Sequence, residues 1–167
     1  MQKEKGFSLI ELLIVVAIIL IIAAIAIPNL LRSRIAANEA SATASLRTLN
    51  TAEITYASTY NSGFTSTLGL LCTPAAGSQA SANNADLVDP VLCGQQGSGG
   101  TTATTFTKNG YSFTYTPSGT YPTVATYSMN ADPIARGSSG QRSFYSDQSA
   151  VIRANSTTPA SVSDTPI

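Results

Sequence analysis

Very few side chains in this sequence can do chemistry, and their types narrow the possibilities at once. The 167 residues contain no His, which removes every His-based catalytic dyad and most zinc sites. Beyond residue 62 the acids are Asp86, Asp89, Asp132, Asp147 and Asp164. Asp86 and Asp89 flank Leu87-Val88 in a loop, a setting that favours solvated carboxylates, and calcium would want about six to eight oxygen ligands. Lys108, Arg136, Arg142 and Arg153 are scattered among neutral residues, and nine basic side chains balance nine acidic ones. Such a chain has no field for a polyanion, so no specific nucleic-acid site is expected. Catalytic residues, metal ligands and cofactors are all expected to be absent. What remains is Glu11 at the mouth of an apolar run, the Gly6-Phe7 junction before it, and the pair Cys72 and Cys93.

The elements that place these groups are uneven in composition. Charged residues make up 11% of the chain, against about 25% in an average soluble protein. Sixteen consecutive apolar residues run from Leu12 to Ile27. As a helix, residues 7–27 would be roughly 31 Å long, matching a bilayer core of about 30 Å. A secretory signal peptide would use Lys3 and Lys5 as its basic region and Ala24-Ile25-Ala26 as its cleavage site, but it leaves Glu11 without a purpose. A plain membrane anchor leaves Glu11 equally unexplained. Lys3 and Lys5 on one flank oppose Arg32 and Arg34 on the other, so charge does not fix an orientation.

The run Gly6-Phe7-Ser8-Leu9-Ile10-Glu11-Leu12-Leu13 resembles the start of type IV prepilins and the related pseudopilins. That resemblance implies cleavage between Gly6 and Phe7 by a prepilin peptidase and N-methylation of the new Phe7 amine. The apolar helix is then retained in the mature chain. A carboxylate in a membrane helix costs on the order of 2.5–3.5 kcal/mol, partly offset by the helix dipole near its N-terminus. An amine on Phe7 of one subunit and Glu11 of its neighbour would neutralise each other and set the axial offset of adjacent helices. The alternative is a Glu11 that snorkels to the headgroups.

Pro28 ends, kinks or interrupts the apolar helix, with Asn29 as a start signal for the next one. Residues 29–61 read as an amphipathic helix. Leu31, Ile35, Ala42, Leu46, Leu49, Tyr56 and Tyr60 recur at spacings of three, four and seven, while Arg32, Arg34, Glu39, Arg47 and Glu53 supply the polar positions. Residues 62–100 carry turn-forming residues and no period, so they read as a loop. Cys72 and Cys93 are expected to staple it in an oxidising compartment, two free thiols being the alternative. Strands are expected at 101–107, 110–117, 123–129, 141–146 and 149–153, the first two joined by a hairpin through Asn109-Gly110.

The expected fold is therefore α+β. A long N-terminal helix has a projecting apolar half and packs through its C-terminal half on a small antiparallel sheet, the ladle shape of the pilins. The organisation expected is leader 1–6, membrane and filament-core helix 7–28, head helix 29–61, disulfide loop 62–100, sheet 101–153 and polar tail 154–167. The stretches 110–117 and 140–153 also resemble the sheet region of some bacterial pilins. In the tail, Asn155-Ser156-Thr157 fits a glycosylation acceptor, a triplet common by chance. The expected function is that of the major subunit of a type IV pilus, with adhesion, motility or DNA uptake as its uses. The alternative is a type II secretion pseudopilin or a minor pilin; major pseudopilins often carry a calcium site in their C-terminal loops, and only Asp132 and Asp147 lie near that region here, which weakens that reading. The implied partners are other copies of the chain, the prepilin peptidase and the pilus assembly machinery. The implied locations are the bacterial inner membrane before assembly and the extracellular filament after it.

Overall fold

The computed structural model describes residues 7–94, 103–119 and 124–167; Gly6, of the expected cleavage junction, and the start of the first expected strand lie outside these. A single helix, α1, spans Leu9–Tyr60 and contains Pro28. It stops where the chain turns left-handed. Asn61 sits at φ 50°, its N–H still bonded to the carbonyl of Ala57 at 3.0 Å, and Asn is one of the few residues that tolerates this conformation at a helix end.

The chain divides into two compact units, one ending at Arg34 and the other spanning Ile35–Ile167. In the first unit the large apolar side chains are exposed along its whole length, from Leu9 to Leu31. The second unit has a core. Along α1 its buried positions include Glu39, Ala42, Leu46, Leu49, Glu53 and Tyr56, at steps of three and four, with Ser45, Asn50 and Ala52 beside them, so that one face turns inward. Glu39 and Glu53, expected on the polar face, thus belong to the buried stripe. The intervals of seven in the apolar series step over these two positions.

Six strands follow in chain order, each antiparallel to the next. They are β1 Thr105–Lys108, β2 Tyr111–Ser118, β3 Thr126–Pro133, β4 Ser143–Asp147, β5 Arg153–Asn155 and β6 Thr165–Pro166. The expected hairpin joins β1 to β2, with Lys108 opposite Tyr111. Both of its central residues, Asn109 and Gly110, have positive φ, the turn that matches the twist of the flanking strands. Tyr111, Phe113 and Tyr115 point inward from β2, and Tyr127, Met129 and Ala131 from β3, onto the buried stripe of α1.

Three expected boundaries move. The third strand begins and ends later than 123–129, because Asn130 to Pro133 stay in register with β2 as far as Tyr111. Val124 instead bridges Gly63. The strand expected at 149–153 starts only at Arg153. Ala150 is left-handed at φ 59° and closes a turn on Asp147, whose Oδ1 accepts the Ser149 N–H at 2.9 Å. Residues 154–167, expected as a polar tail that need not fold, supply most of β5 and all of β6. Asn155 donates to Asp164 Oδ1 at 2.8 Å, Asp164 Oδ2 accepts the Ser161 N–H at 2.7 Å, and Asn130 on β3 donates to the carbonyl of Ala160 at 2.8 Å. A closed network of this kind orders polar residues that have little apolar surface to bury.

Candidate functional site: the apolar N-terminal helix and its acid

Phe7 is 91% exposed, and Leu9, Leu20 and Ile27 are 77%, 63% and 57% exposed. An unbroken apolar helix with no covering surface is not stable in water; it needs lipid or protein around it. Among the described residues this is the one helix long and apolar enough to cross a membrane.

Glu11 is the single charged group in that stretch. Its Oε2 accepts the backbone N–H of Ser8 at 2.9 Å, and the first helical bond runs from the Leu12 N–H to the Ser8 carbonyl. This is half of a capping box, in which the acid at the third helical position satisfies an N–H that the helix leaves orphaned. The pattern Ser8-Leu9-Ile10-Glu11 is the sequence signal for it, and Glu11 thus acts within its own chain. Pro28 lies inside α1 without ending it. Its missing N–H leaves the Ala24 carbonyl without the usual donor. Asn29, expected to start a new helix, instead donates its side-chain amide back to the neighbouring carbonyl of Ile25 at 3.1 Å.

Cys72 and Cys93 are joined, with their Cα atoms 5.5 Å apart. Both are fully buried at the base of a loop that also returns four N–H groups, those of Ala85, Asp86, Leu87 and Val88, to the carbonyls of Leu70, Cys72 and Leu71. A 3-10 turn at Leu68–Leu71 packs this base into the core. Farther round the head, Glu39 holds the loop before β4. Its Oε1 accepts the N–H groups of Gln141 and Arg142 at 2.9 and 3.0 Å, and its Oε2 accepts Arg142 Nε at 2.8 Å. Burial works against ionisation of Glu39, but these bonds and the guanidinium outweigh it and hold the carboxyl below its ordinary value.

Among the described residues no three His, Cys, Asp or Glu side chains converge on a point that would hold a metal ion. Asp147, one of the two acids named for a calcium site, spends its Oδ1 on the Ser149 N–H. Asn155 of the glycosylation triplet has its Oδ1 on the N–H groups of Thr157 and Thr158 and its amide on Asp164.

A family profile described as the prokaryotic N-terminal methylation motif matches residues 1–27. The major component of the type IV wide pilus of Thermus thermophilus, PilA4, is 61% identical over 46 residues, 28% of this chain and 35% of that protein. The type IV major pilin PilA of Myxococcus xanthus is 49% identical over 51 residues, 30% of this chain and 23% of that protein. At its N-terminus this chain is similar to type IV pilins. The pilin match spans about a third or less of the length of either curated relative, and no solved structure gives a significant match. The α+β architecture, a long N-terminal helix followed by an antiparallel sheet, accords with that similarity.

Proposed function

We propose that this pilin is the major structural subunit of a type IV pilus. In this reading the chain is cleaved between Gly6 and Phe7, methylated at Phe7, held in the inner membrane by residues 7–28, and then polymerised into an extracellular filament. The observation that carries the reading is the exposed apolar helix with one acid next to the new N-terminus. Contacts between different faces of identical subunits, when they do not close a ring, generate an open helical filament. Lipid shields such a helix in the protomer, and neighbouring helices would shield it in the polymer. Glu11 Oε2 holds Ser8, while Oε1 has no protein partner among the described residues, so the carboxylate retains an acceptor for the Phe7 amine of a neighbour. Adhesion, motility and DNA uptake are uses that such a filament supports.

Glu11→Ala tests it. The substitution removes a costly carboxylate from the membrane helix, so a lone anchor would tolerate it. In a filament it leaves an amine unpaired in an apolar core, a loss of about 3–5 kcal/mol where a buried pair is broken, repeated at each subunit. At equal expression the variant should accumulate in the membrane with its disulfide formed, while filaments counted by electron microscopy fall steeply. Glu11→Gln keeps a capping acceptor but not the charge, and should fail as well. Wild-type filament numbers from Glu11→Ala would refute the pairing. Intact mass of the wild-type subunit should show loss of Met1 to Gly6 and gain of a methyl group.

A further inference from the structure

Glu53 is the most deeply buried acid of the head, with no exposed surface. Thr65, on the segment that leaves α1, meets both of its oxygens: the Thr65 N–H lies 2.9 Å from Oε2, and the Thr65 hydroxyl 2.6 Å from Oε1. Thr65 is fully buried too, and its carbonyl accepts the Tyr115 hydroxyl from β2 at 2.7 Å. Just before it, the Phe64 N–H bonds to the carbonyl of Val124 at 2.9 Å. Gly63 there is left-handed, and a Cβ on it would come within 2.5 Å of the Val124 oxygen. The chain is thus pinned at two adjacent points, and one of them is a carboxyl group.

Among the described residues no basic side chain pairs with Glu53. Tyr115 faces Glu53 from β2 and Tyr127 from β3, and Asp147 on β4 faces Tyr127 in turn. Among the described residues the ion pairs are Lys108–Asp89 and Arg142–Glu39, and neither involves Glu53. Burial holds the phenols of Tyr115 and Tyr127 protonated well above their usual range, so neither titrates near neutrality. Glu53 does. Burial raises its carboxyl to about 7, against the opposing pull of the Thr65 and Tyr115 bonds.

We propose that Glu53 is a proton-operated latch on the segment 61–67: neutral, it holds Thr65 against α1 and β2, and ionised it leaves an uncompensated charge in the core that loosens this segment. The proposal concerns the head alone and stands whether or not the chain polymerises. Its sign follows from the direction of the shift. A carboxyl raised in the folded state stabilises fully below its unfolded value near 4.5 and loses that contribution as pH rises towards about 7. A surface-exposed head would therefore tighten at this joint in acid and relax in alkali.

Carboxyl-carbon NMR of the mature chain in detergent micelles, with Glu labelled and Glu53→Gln used for assignment, gives the first readout. The Glu53 signal should titrate with a midpoint near 7, while a midpoint at or below about 5, the ordinary carboxyl range, would overturn the proposal. Hydrogen exchange at the Thr65 amide, corrected for the intrinsic pH dependence of exchange, gives the second. Protection should fall at least about tenfold between roughly pH 5.5 and pH 8.5 in wild type. In Glu53→Gln, which is neutral throughout, it should stay within about twofold. An equal fall in both proteins would assign the change to another group and refute the latch. Should Glu53→Gln not fold, labelled Glu11→Gln and Glu39→Gln together identify the Glu53 signal by elimination and the wild-type titration alone decides.

Discussion

Replacing Cys72 and Cys93 together by Ala removes a cross-link while leaving the rest of the loop's attachments in place. The bridge closes a ring with a sequence separation of 21, for which the loss of chain entropy in the unfolded state corresponds to about 3 kcal/mol at 25 °C. The Cα separation of 5.5 Å is within the ordinary range for a disulfide, so the folded backbone need not move when the bond is absent. Tyr56 donates to the Ala82 carbonyl at 2.7 Å, Leu92 N–H donates to Asp89 Oδ1 at 2.7 Å, and Val88 and Leu92 stay buried. These contacts should keep the variant folded but less stable. Ala at two buried sites also avoids the orphaned hydroxyls that Ser would introduce. Urea unfolding of the mature chain in mild detergent, followed by near-ultraviolet circular dichroism, reads the head selectively. Tyr56, Tyr111, Tyr115 and Tyr127 are all buried there, and the chain has no Trp. The expected loss is about 3 kcal/mol, or roughly 10 °C in midpoint. Reduction of the wild type by a non-thiol reductant should give the same loss to within about 1 kcal/mol, since thiols occupy the same space. A loss below about 1 kcal/mol in both would refute the entropic account and mean that the backbone bonds already restrict the unfolded loop.

Two further changes probe the head. Glu39→Gln weakens three charge-assisted bonds, at a cost of roughly 1.5–3 kcal/mol near neutrality. Because the Glu39 carboxyl is held below its ordinary value, its contribution is present above the unfolded value and is lost as pH falls through the folded one. Chemical unfolding between about pH 3 and pH 6 should therefore show a shallower acid-side loss in the variant, and parallel curves would refute the assignment. At Gly140 a Cβ would lie 2.1 Å from the Tyr111 hydroxyl, which itself donates to the Arg142 carbonyl at 2.8 Å. Gly140→Ala should cost about 1–3 kcal/mol, measurable as a lowered thermal midpoint, and an unchanged midpoint would show that Tyr111 can move aside.

The sequence by itself determined the features that depend on local chemistry. Sixteen apolar residues behind Glu11 dictate a helix that water cannot solvate, and Asn109-Gly110 dictates a two-residue hairpin because both positions tolerate positive φ. The alternation from Tyr111 to Thr116 likewise placed β2 and its inward face. Tertiary structure decided the rest. Glu39 and Glu53 occupy apolar-stripe positions of α1, yet carboxyl groups there are tolerable only because backbone N–H groups, a guanidinium and a hydroxyl at Gln141, Arg142 and Thr65 come to meet them. Those partners lie up to 103 residues away, and nothing in the local pattern announces them. The capping role of Glu11 was legible in Ser8-x-x-Glu11, but the continuation of α1 through Pro28 was not, since a proline removes one bond without specifying how the flanking turns respond. The last segment was hardest to read. Its strands are three and two residues long, and they exist because Asp164, Asn155 and Asn130 close bonds across the sheet rather than because of any period in their own residues.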